Sequence, residues 1–270
     1  MELENRLVLV LGGAGGIGRA GALAFAATGA AVAVADVDKA AAEVVAGQIT
    51  AAGGAASAHA CDVSDDAAVL SLRDELAGDA LVPDVLWCHA GANAEGPVER
   101  IPTDEWKWVF NTNVLGISRA LQAFLPSMRE RGAGRVVITS STLGLFGHKP
   151  LALPYIASKA AQIGLAQGLS RYLDGSGVGV TLLLPDLTET GFRTSARLVG
   201  ADAEEMKRLA GPRMRTQPPM SAEDVADALI EGVRKDQFLV SLMANTDRRL
   251  AEHAAAGFDP SALPVGWPET

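Results

Sequence analysis

Short apolar runs alternate with longer stretches of helical periodicity along the whole chain. The pattern predicts strands over 6–11, 31–35, 56–60, 84–89, 135–140, 178–184 and 237–242. It predicts helices over 16–28, 39–52, 65–76, 103–128, 155–173 and 222–234, with Pro126 near the end of the fourth. Several strands, such as Leu7-Val8-Leu9-Val10-Leu11, are continuous apolar runs rather than alternating ones. A parallel sheet covered on both faces requires that pattern. Strands alternating with helices then point to an α/β fold with a doubly wound parallel sheet. No repeat, low-complexity linker or charge block divides the chain, so a single domain is expected over 1–270. Residues 186–220 break the rhythm, being polar and rich in Arg, Gly and Pro. Long excursions of this kind often serve as lids, here a lid over substrate. Residues 243–270 follow the last predicted strand as a C-terminal tail.

Composition narrows the partners. With 49% hydrophobic and 20% charged residues, the 270-residue chain is not expected to be disordered. The formal net charge of −9 repels nucleic acid and anionic membrane, so neither is an expected partner. An anionic cofactor stays possible, because backbone amides bind phosphate locally. Cys61 and Cys88 offer neither a disulfide framework nor a metal cluster, and no metal is expected. Both lie in apolar stretches and suit buried thiols in a reducing cytosol. The first apolar run is too short for a signal-peptide core, and no run is long enough to cross a bilayer. The expected location is cytoplasmic.

Candidate chemistry begins at the end of the first strand, in Leu11-Gly12-Gly13-Ala14-Gly15-Gly16-Ile17-Gly18. Glycines let the backbone turn tightly and approach a pyrophosphate, and the following helix supplies free N–H groups and a favourable dipole. A strand before, a helix after and an acidic residue about 20 positions on make this a Rossmann-type dinucleotide cradle. The cradle assigns Gly12, Gly15, Gly16, Ile17 and Gly18 to the cofactor. The acidic residue is Asp36, at the end of the second strand. Its carboxylate accepts hydrogen bonds from the adenosine ribose and repels a 2′-phosphate. No Arg or Lys stands at Gly15 or Val37 to greet that phosphate, so NAD is favoured over NADP. The alternative is that Asp36 or Asp38 only caps the next helix.

A second constellation lies at Tyr155-Ile156-Ala157-Ser158-Lys159, just after Pro154. Tyr155 and Lys159 share one helical face. An ammonium near the phenol favours the phenolate and lowers its pKa, which makes the tyrosine a usable acid/base. The preceding strand ends in Thr139-Ser140-Ser141, at the carboxyl edge where open α/β folds bind ligands.

Taken together, the glycine motif, Asn113 in Asn113-Val114-Leu115-Gly116, the Ser140-Ser141 pair and Tyr155…Lys159 resemble the short-chain dehydrogenase/reductase family. They stand in that family's order and approximate spacing, over about residues 5–240. The resemblance implies an oxidoreductase interconverting a secondary alcohol and a ketone by hydride transfer. It implies that Tyr155 exchanges the proton with the substrate oxygen, and that Ser141 hydrogen-bonds that oxygen. Lys159 holds the nicotinamide ribose and tunes Tyr155, and Asn113 positions a water in a proton relay. Asp62 and Val63 resemble the segment at adenine, and Thr190 the residue at the carboxamide. Val37, Ala90, Gly91, Pro185 and Thr188 complete the cofactor set. Asn93, Ser141, Leu143, His148, Leu151, Leu187 and Phe192 would line a mostly apolar pocket, suited to a hydrophobic alcohol or ketone. The family resemblance also implies a homodimer or homotetramer, with the segments 106–128 and 155–173 at an interface. Ser140 and Thr142 are alternatives to Ser141.

Three positions depart from the family pattern. Leu11 stands where a threonine is usual, Cys88-His89 where Asn-Asn is usual, and Asp186 where glycine is usual after Pro185. Asp186-Leu187-Thr188-Glu189 fits a capping box for a short helix. The alternative places the Asp186 carboxylate beside the nicotinamide. Two other functional readings stand beside the dehydrogenase: a non-catalytic dinucleotide sensor or scaffold, and an epimerase or dehydratase using the same Tyr–Lys pair.

Overall fold

The strands appear where the apolar runs end in turn residues. The computed structural model describes residues 1–78, 81–193, 195–210 and 219–259, with side chains 193 and 210 excepted. Its strands are β1 (Leu7–Leu11), β2 (Ala31–Asp36), β3 (Ala56–Ala60), β4 (Val85–Cys88), β5 (Ala94–Glu95), β6 (Gly134–Thr139), β7 (Val178–Leu184), β8 (Arg197–Leu198) and β9 (Leu239–Ser241). Seven of them form one parallel sheet in the order β3-β2-β1-β4-β6-β7-β9. The chain winds outward one way from β1 and the other way from β4. That reversal leaves a crevice at the carboxyl ends of β1 and β4, where such sheets bind ligands.

Ten α-helices are seen among the described residues: α1 (Gly16–Ala27), α2 (Lys39–Ala51), α3 (Asp66–Gly78), α4 (Thr103–Phe110), α5 (Gly116–Arg131), α6 (Leu143–Phe146), α7 (Leu153–Tyr172), α8 (Ala203–Ala210), α9 (Ala222–Arg234) and α10 (Thr246–Ala255). The buried side chains divide into two cores, one on each face of the sheet. Leu7, Leu9 and Leu11 point into the core shared with α3, α5 and α7, whereas Val8 and Val10 point into the one shared with α1, α2 and α9. Successive residues of a strand face opposite ways, so a strand feeding two cores must be apolar throughout. Each such fully buried side chain contributes roughly 1.5–3 kcal/mol. Gly21 lets α1 lie on the sheet: a Cβ there would stand 2.2 Å from the Trp87 ring.

Three expectations need correction. The helix expected over 103–128 is two helices joined by a π-helical turn at Asn111–Leu115. The second keeps Pro126 near its end but runs past 128 to Arg131 and stops at left-handed Gly132 (φ 68°). No helix starts at Asp186, so the capping box does not form: the Glu189 amide donates to the Met220 carbonyl instead.

The expected lid is tied to the body at several points. Thr188 bridges to Met220, β8 pairs with β5, and Arg100 reaches both the Gly200 carbonyl and Glu205. Residues 194 and 211–218 of that segment lie outside the described residues, as do 260–270 of the expected tail. The described part of the tail carries α10. No helix among the described residues is long and apolar enough to cross a membrane.

Candidate active site

The glycine loop joins β1 to α1 in the crevice, and two of its glycines are fixed by packing. Gly12 has φ +89°, and a Cβ there would stand 2.7 Å from the Ala90 backbone. A Cβ on Gly18 would fall 2.0 Å from the Gly12 carbonyl oxygen. Gly15 is different: nothing lies within 4 Å of where its Cβ would be. It is also the N-cap of α1 and offers no side chain to the first-turn amides. The open surface at Gly15 and the uncapped amides of a 12-residue helix fit a diphosphate. Thr190 lies against Gly16 on the far side of the loop.

Asp36 stands at the mouth of this cradle. Its Oδ2 accepts from the Ala14 amide at 3.0 Å and its Oδ1 from the Asp38 amide at 3.1 Å. Capping of α2 falls to Asp38, which accepts from the Ala41 amide at 3.0 Å. Asp36 is thus pinned to the glycine loop rather than used as a helix cap. Val37 beside it is exposed, and Asp62 and Val63 follow the neighbouring strand β3. Val63 packs on Gly116, where a Cβ would meet it at 3.0 Å.

Tyr155 and Lys159 lie one turn apart on α7, whose first turn contains Pro154. Both are buried. The Lys159 ammonium donates to the Thr139 carbonyl at 2.8 Å and lies 5.4 Å from the centre of the Tyr155 ring. Ser140 donates to the Lys159 carbonyl at 2.7 Å, which locks the end of β6 to α7. Gly144 makes that contact close, since a Cβ there would stand 2.7 Å from the Lys159 backbone. Ser141 follows at the same edge, and its Oγ accepts from the Leu143 amide at 3.2 Å. The structure therefore brings Ser141 to the tyrosine and uses Ser140 as a brace.

The electrostatics differ from expectation. Burial drives the Tyr155 phenol well above its ordinary range, with the Ser141 hydroxyl working the other way and the Glu95 charge adding to the rise. Lys159 does not pull the phenol down in this state. Its own pKa is lowered by burial from 10.5 to about 7. Two ionisable groups share a dry site, and desolvation dominates both.

Asn113 is completely buried in the π turn. Its Nδ2 donates to the Ala92 carbonyl at 3.0 Å and to Ser158 Oγ at 2.9 Å, and its Oδ1 accepts from the Ala92 amide at 2.6 Å. The widened turn passes one carbonyl pairing from Asn111 to Gly116, while the Asn113 carbonyl accepts from Gln162 of α7 at 2.6 Å. Single π turns inside helices are frequent at functional sites.

Around the tyrosine, Phe192 packs at 5.6 Å between ring centres and approaches Gly91. Leu143, Leu151 and Leu187 are half-buried, whereas His148 is exposed. Pro185 is buried, and its carbonyl accepts from the Thr142 amide at 3.2 Å. Thr188 is buried and donates to the Asp186 carbonyl. The Asp186 carboxylate accepts from the Thr142 hydroxyl at 3.2 Å. His89 shares the Thr139 hydroxyl with Trp87 Nε1, and burial lowers its pKa to about 3, so it stays neutral. Two residues went unread in the sequence: Glu95 on β5 and Lys149 on the loop before α7, which pair with each other beside Asn93. Their signal was the presence of charge on loops at the carboxyl edge of the sheet.

Comparison with known proteins shows the family and the fold. The short chain dehydrogenase family model matches residues 6–198. The probable oxidoreductase EphD of Mycobacterium tuberculosis is 31% identical over 235 residues, covering 86% of this chain. The chain spans only 40% of that protein's length. D-threitol dehydrogenase of Mycolicibacterium smegmatis is 34% identical over 197 residues, covering 71% of this chain and 74% of the relative. Among solved structures, a short chain dehydrogenase/reductase from Burkholderia phymatum in complex with NAD superposes with a TM-score of 0.85 at 26% identity. That likeness covers 96% of this chain and 98% of the other.

Proposed function

The chain belongs to the short-chain dehydrogenase/reductase family, and from that premise we propose that it is an NAD-dependent oxidoreductase interconverting a secondary alcohol and a ketone. The supporting observation is the convergence of Ser141, Tyr155 and Lys159 at one sheet edge, beside a glycine cradle whose mouth holds Asp36. Tyr155 passes its proton to the substrate oxygen in reduction and accepts one in oxidation. Ser141 donates a hydrogen bond to that oxygen and fixes its position. Asn113, tied to α7 through Ser158 and Gln162, holds the near end of a water path for the exchanged proton.

A nicotinamide dinucleotide fits the residues present. The open Gly15 surface and the α1 amides would hold the diphosphate, Asp36 the adenosine ribose and Lys159 the nicotinamide ribose. Bound there, the cofactor supplies the hydride donor or acceptor. Asp36 supports NAD over NADP, because a carboxylate at that edge repels a 2′-phosphate. A ribose held by Lys159 would keep that cation near the phenol, 5.4 Å from the ring centre, where its charge would favour proton release.

Segment 186–220, so far as it is described, would act as the lid over substrate, and segments 106–128 and 155–173 as the faces of a homodimer or homotetramer. Exposed Leu115 and Tyr172 lie in or beside those segments. The buried thiols of Cys61 and Cys88, both raised to about 12, suit a reducing cytoplasm. A sensor would need only the cradle, so the Asn113–Ser141–Tyr155–Lys159 set favours the enzyme. The test is a panel of secondary alcohols and ketones, each assayed with NAD and with NADP by the absorbance of the reduced nicotinamide. Turnover with NAD is expected; cofactor binding without turnover on any member would favour the sensor.

A further inference from the structure

A charged cluster stands where an apolar substrate pocket is expected. Asn93 and Glu95 are both more than nine-tenths buried. Glu95 Oε1 accepts from Asn93 Nδ2 at 2.7 Å and also pairs with the Lys149 ammonium. Its other oxygen, Oε2, accepts nothing among the described residues, and neither does the buried Asn93 Oδ1. The cluster therefore presents one fully buried acceptor without a donor, Asn93 Oδ1, beside a carboxylate oxygen that takes no hydrogen bond. An unmatched buried acceptor is costly, so retaining one next to a carboxylate points to a ligand that supplies the donors.

Position ties the cluster to the substrate. The residue after Glu95 is hydrogen-bonded to Leu151, four positions before Tyr155, and the Glu95 charge opposes ionisation of that tyrosine. Glu95 is tied at two backbone points: its carbonyl accepts from the Val199 amide at 2.9 Å, and the next amide, of Gly96, donates to the Leu151 carbonyl at 2.8 Å. Lys149 comes from the loop that links Ser141 to Tyr155 and keeps partial solvent access. It already balances the carboxylate, so a neutral donor fits the free oxygen better than a second cation.

We propose that Glu95, set by Lys149 and Asn93, accepts a hydrogen bond from a second hydroxyl on the substrate, near the carbon that reacts. The preferred substrates are then diols and hydroxyketones rather than purely apolar alcohols and ketones. This inference rests on the dehydrogenase reading above and deepens it.

The test compares matched pairs with NAD: 1-phenylpropan-1-ol against 1-phenylpropane-1,2-diol, and cyclohexanol against cyclohexane-1,2-diol. The wild type should favour each diol by about tenfold or more in kcat/KM, the size of one hydrogen bond to a charged group. The double variant Glu95→Met/Lys149→Met leaves no charge buried alone, and Glu95→Gln keeps the shape. Both should bring the ratio close to one, because the diol loses its extra hydrogen bond while the simple alcohol feels only the altered charge near Tyr155. Equal use of diol and simple alcohol by the wild type would overturn the inference while leaving the dehydrogenase reading intact. So would variants that lower both substrates alike, the mark of a merely structural pin. Failure of the wild type on every substrate would overturn the dehydrogenase reading and the inference with it.

Discussion

Lys159 donates to the Thr139 carbonyl at 2.8 Å, but its burial leaves the ammonium otherwise poorly solvated. Its pKa falls from 10.5 to about 7. Between those values the unfolded chain binds a proton that the folded chain has largely released, so stability rises with pH across the window. Tyr155 is shifted upward and works in the opposite direction only above about pH 10. The cofactor-free protein should therefore gain Tm, relative to Lys159→Met, as pH rises from 7 to 10. A difference that stays flat over that range, measured by calorimetry, would contradict the burial of a strained cation.

Asp36 should set cofactor choice. It is pinned by the Ala14 and Asp38 amides, so it cannot swing away from an incoming 2′-phosphate without breaking both bonds. NAD should give the higher kcat/KM, and Asp36→Ala should narrow the gap by raising use of NADP. A wild type that prefers NADP would refute this role.

Asp186 should bias the oxidation state of the bound nicotinamide. It does not cap a helix, and it follows β7 directly at the ligand edge, held by the Thr142 hydroxyl. A carboxylate there attracts the positive oxidised ring and not the neutral reduced one. Asp186→Gly should lower the preference for NAD⁺ over NADH severalfold in equilibrium binding. An unmoved ratio of dissociation constants would remove the electrostatic role.

Residues 195–210 should behave as part of a lid. Their ties to the body run through buried β5 and through Arg100 and Glu105, whose bonds lie at exposed surface. Hydrogen exchange across them should slow when cofactor and substrate are both present. Unchanged protection would mark the segment as fixed structure.

The sheet was legible because its strands carry a physical signature. Leu7 to Leu11 must satisfy two cores at once, and only an unbroken apolar run does so. The cradle was legible for a similar reason, since Gly12 and Gly18 occupy places that no Cβ can enter. The π turn at Asn111–Leu115 was not. It keeps helical backbone angles on both sides, with Phe110 at φ −68° and Leu115 at φ −70°, so the apolar period slips without breaking. The Asp186 box failed because its local pattern competes with a long-range partner: Met220 takes the Glu189 amide that a cap would use. Glu95 and Lys149 were invisible because their pairing joins positions 54 residues apart. The lowered phenol pKa was misread because spacing reports proximity and says nothing of desolvation.

The central claim is that Tyr155 carries the proton. Tyr155→Phe keeps the ring and its packing on Phe192 while removing the hydroxyl. Measured with the best alcohol of the panel and saturating NAD, this variant should lose about two or more orders of magnitude in kcat, the range for losing general acid–base catalysis. Its dissociation constant for NAD should stay within a few-fold of wild type on the same reasoning. Near-normal kcat in Tyr155→Phe would contradict the account.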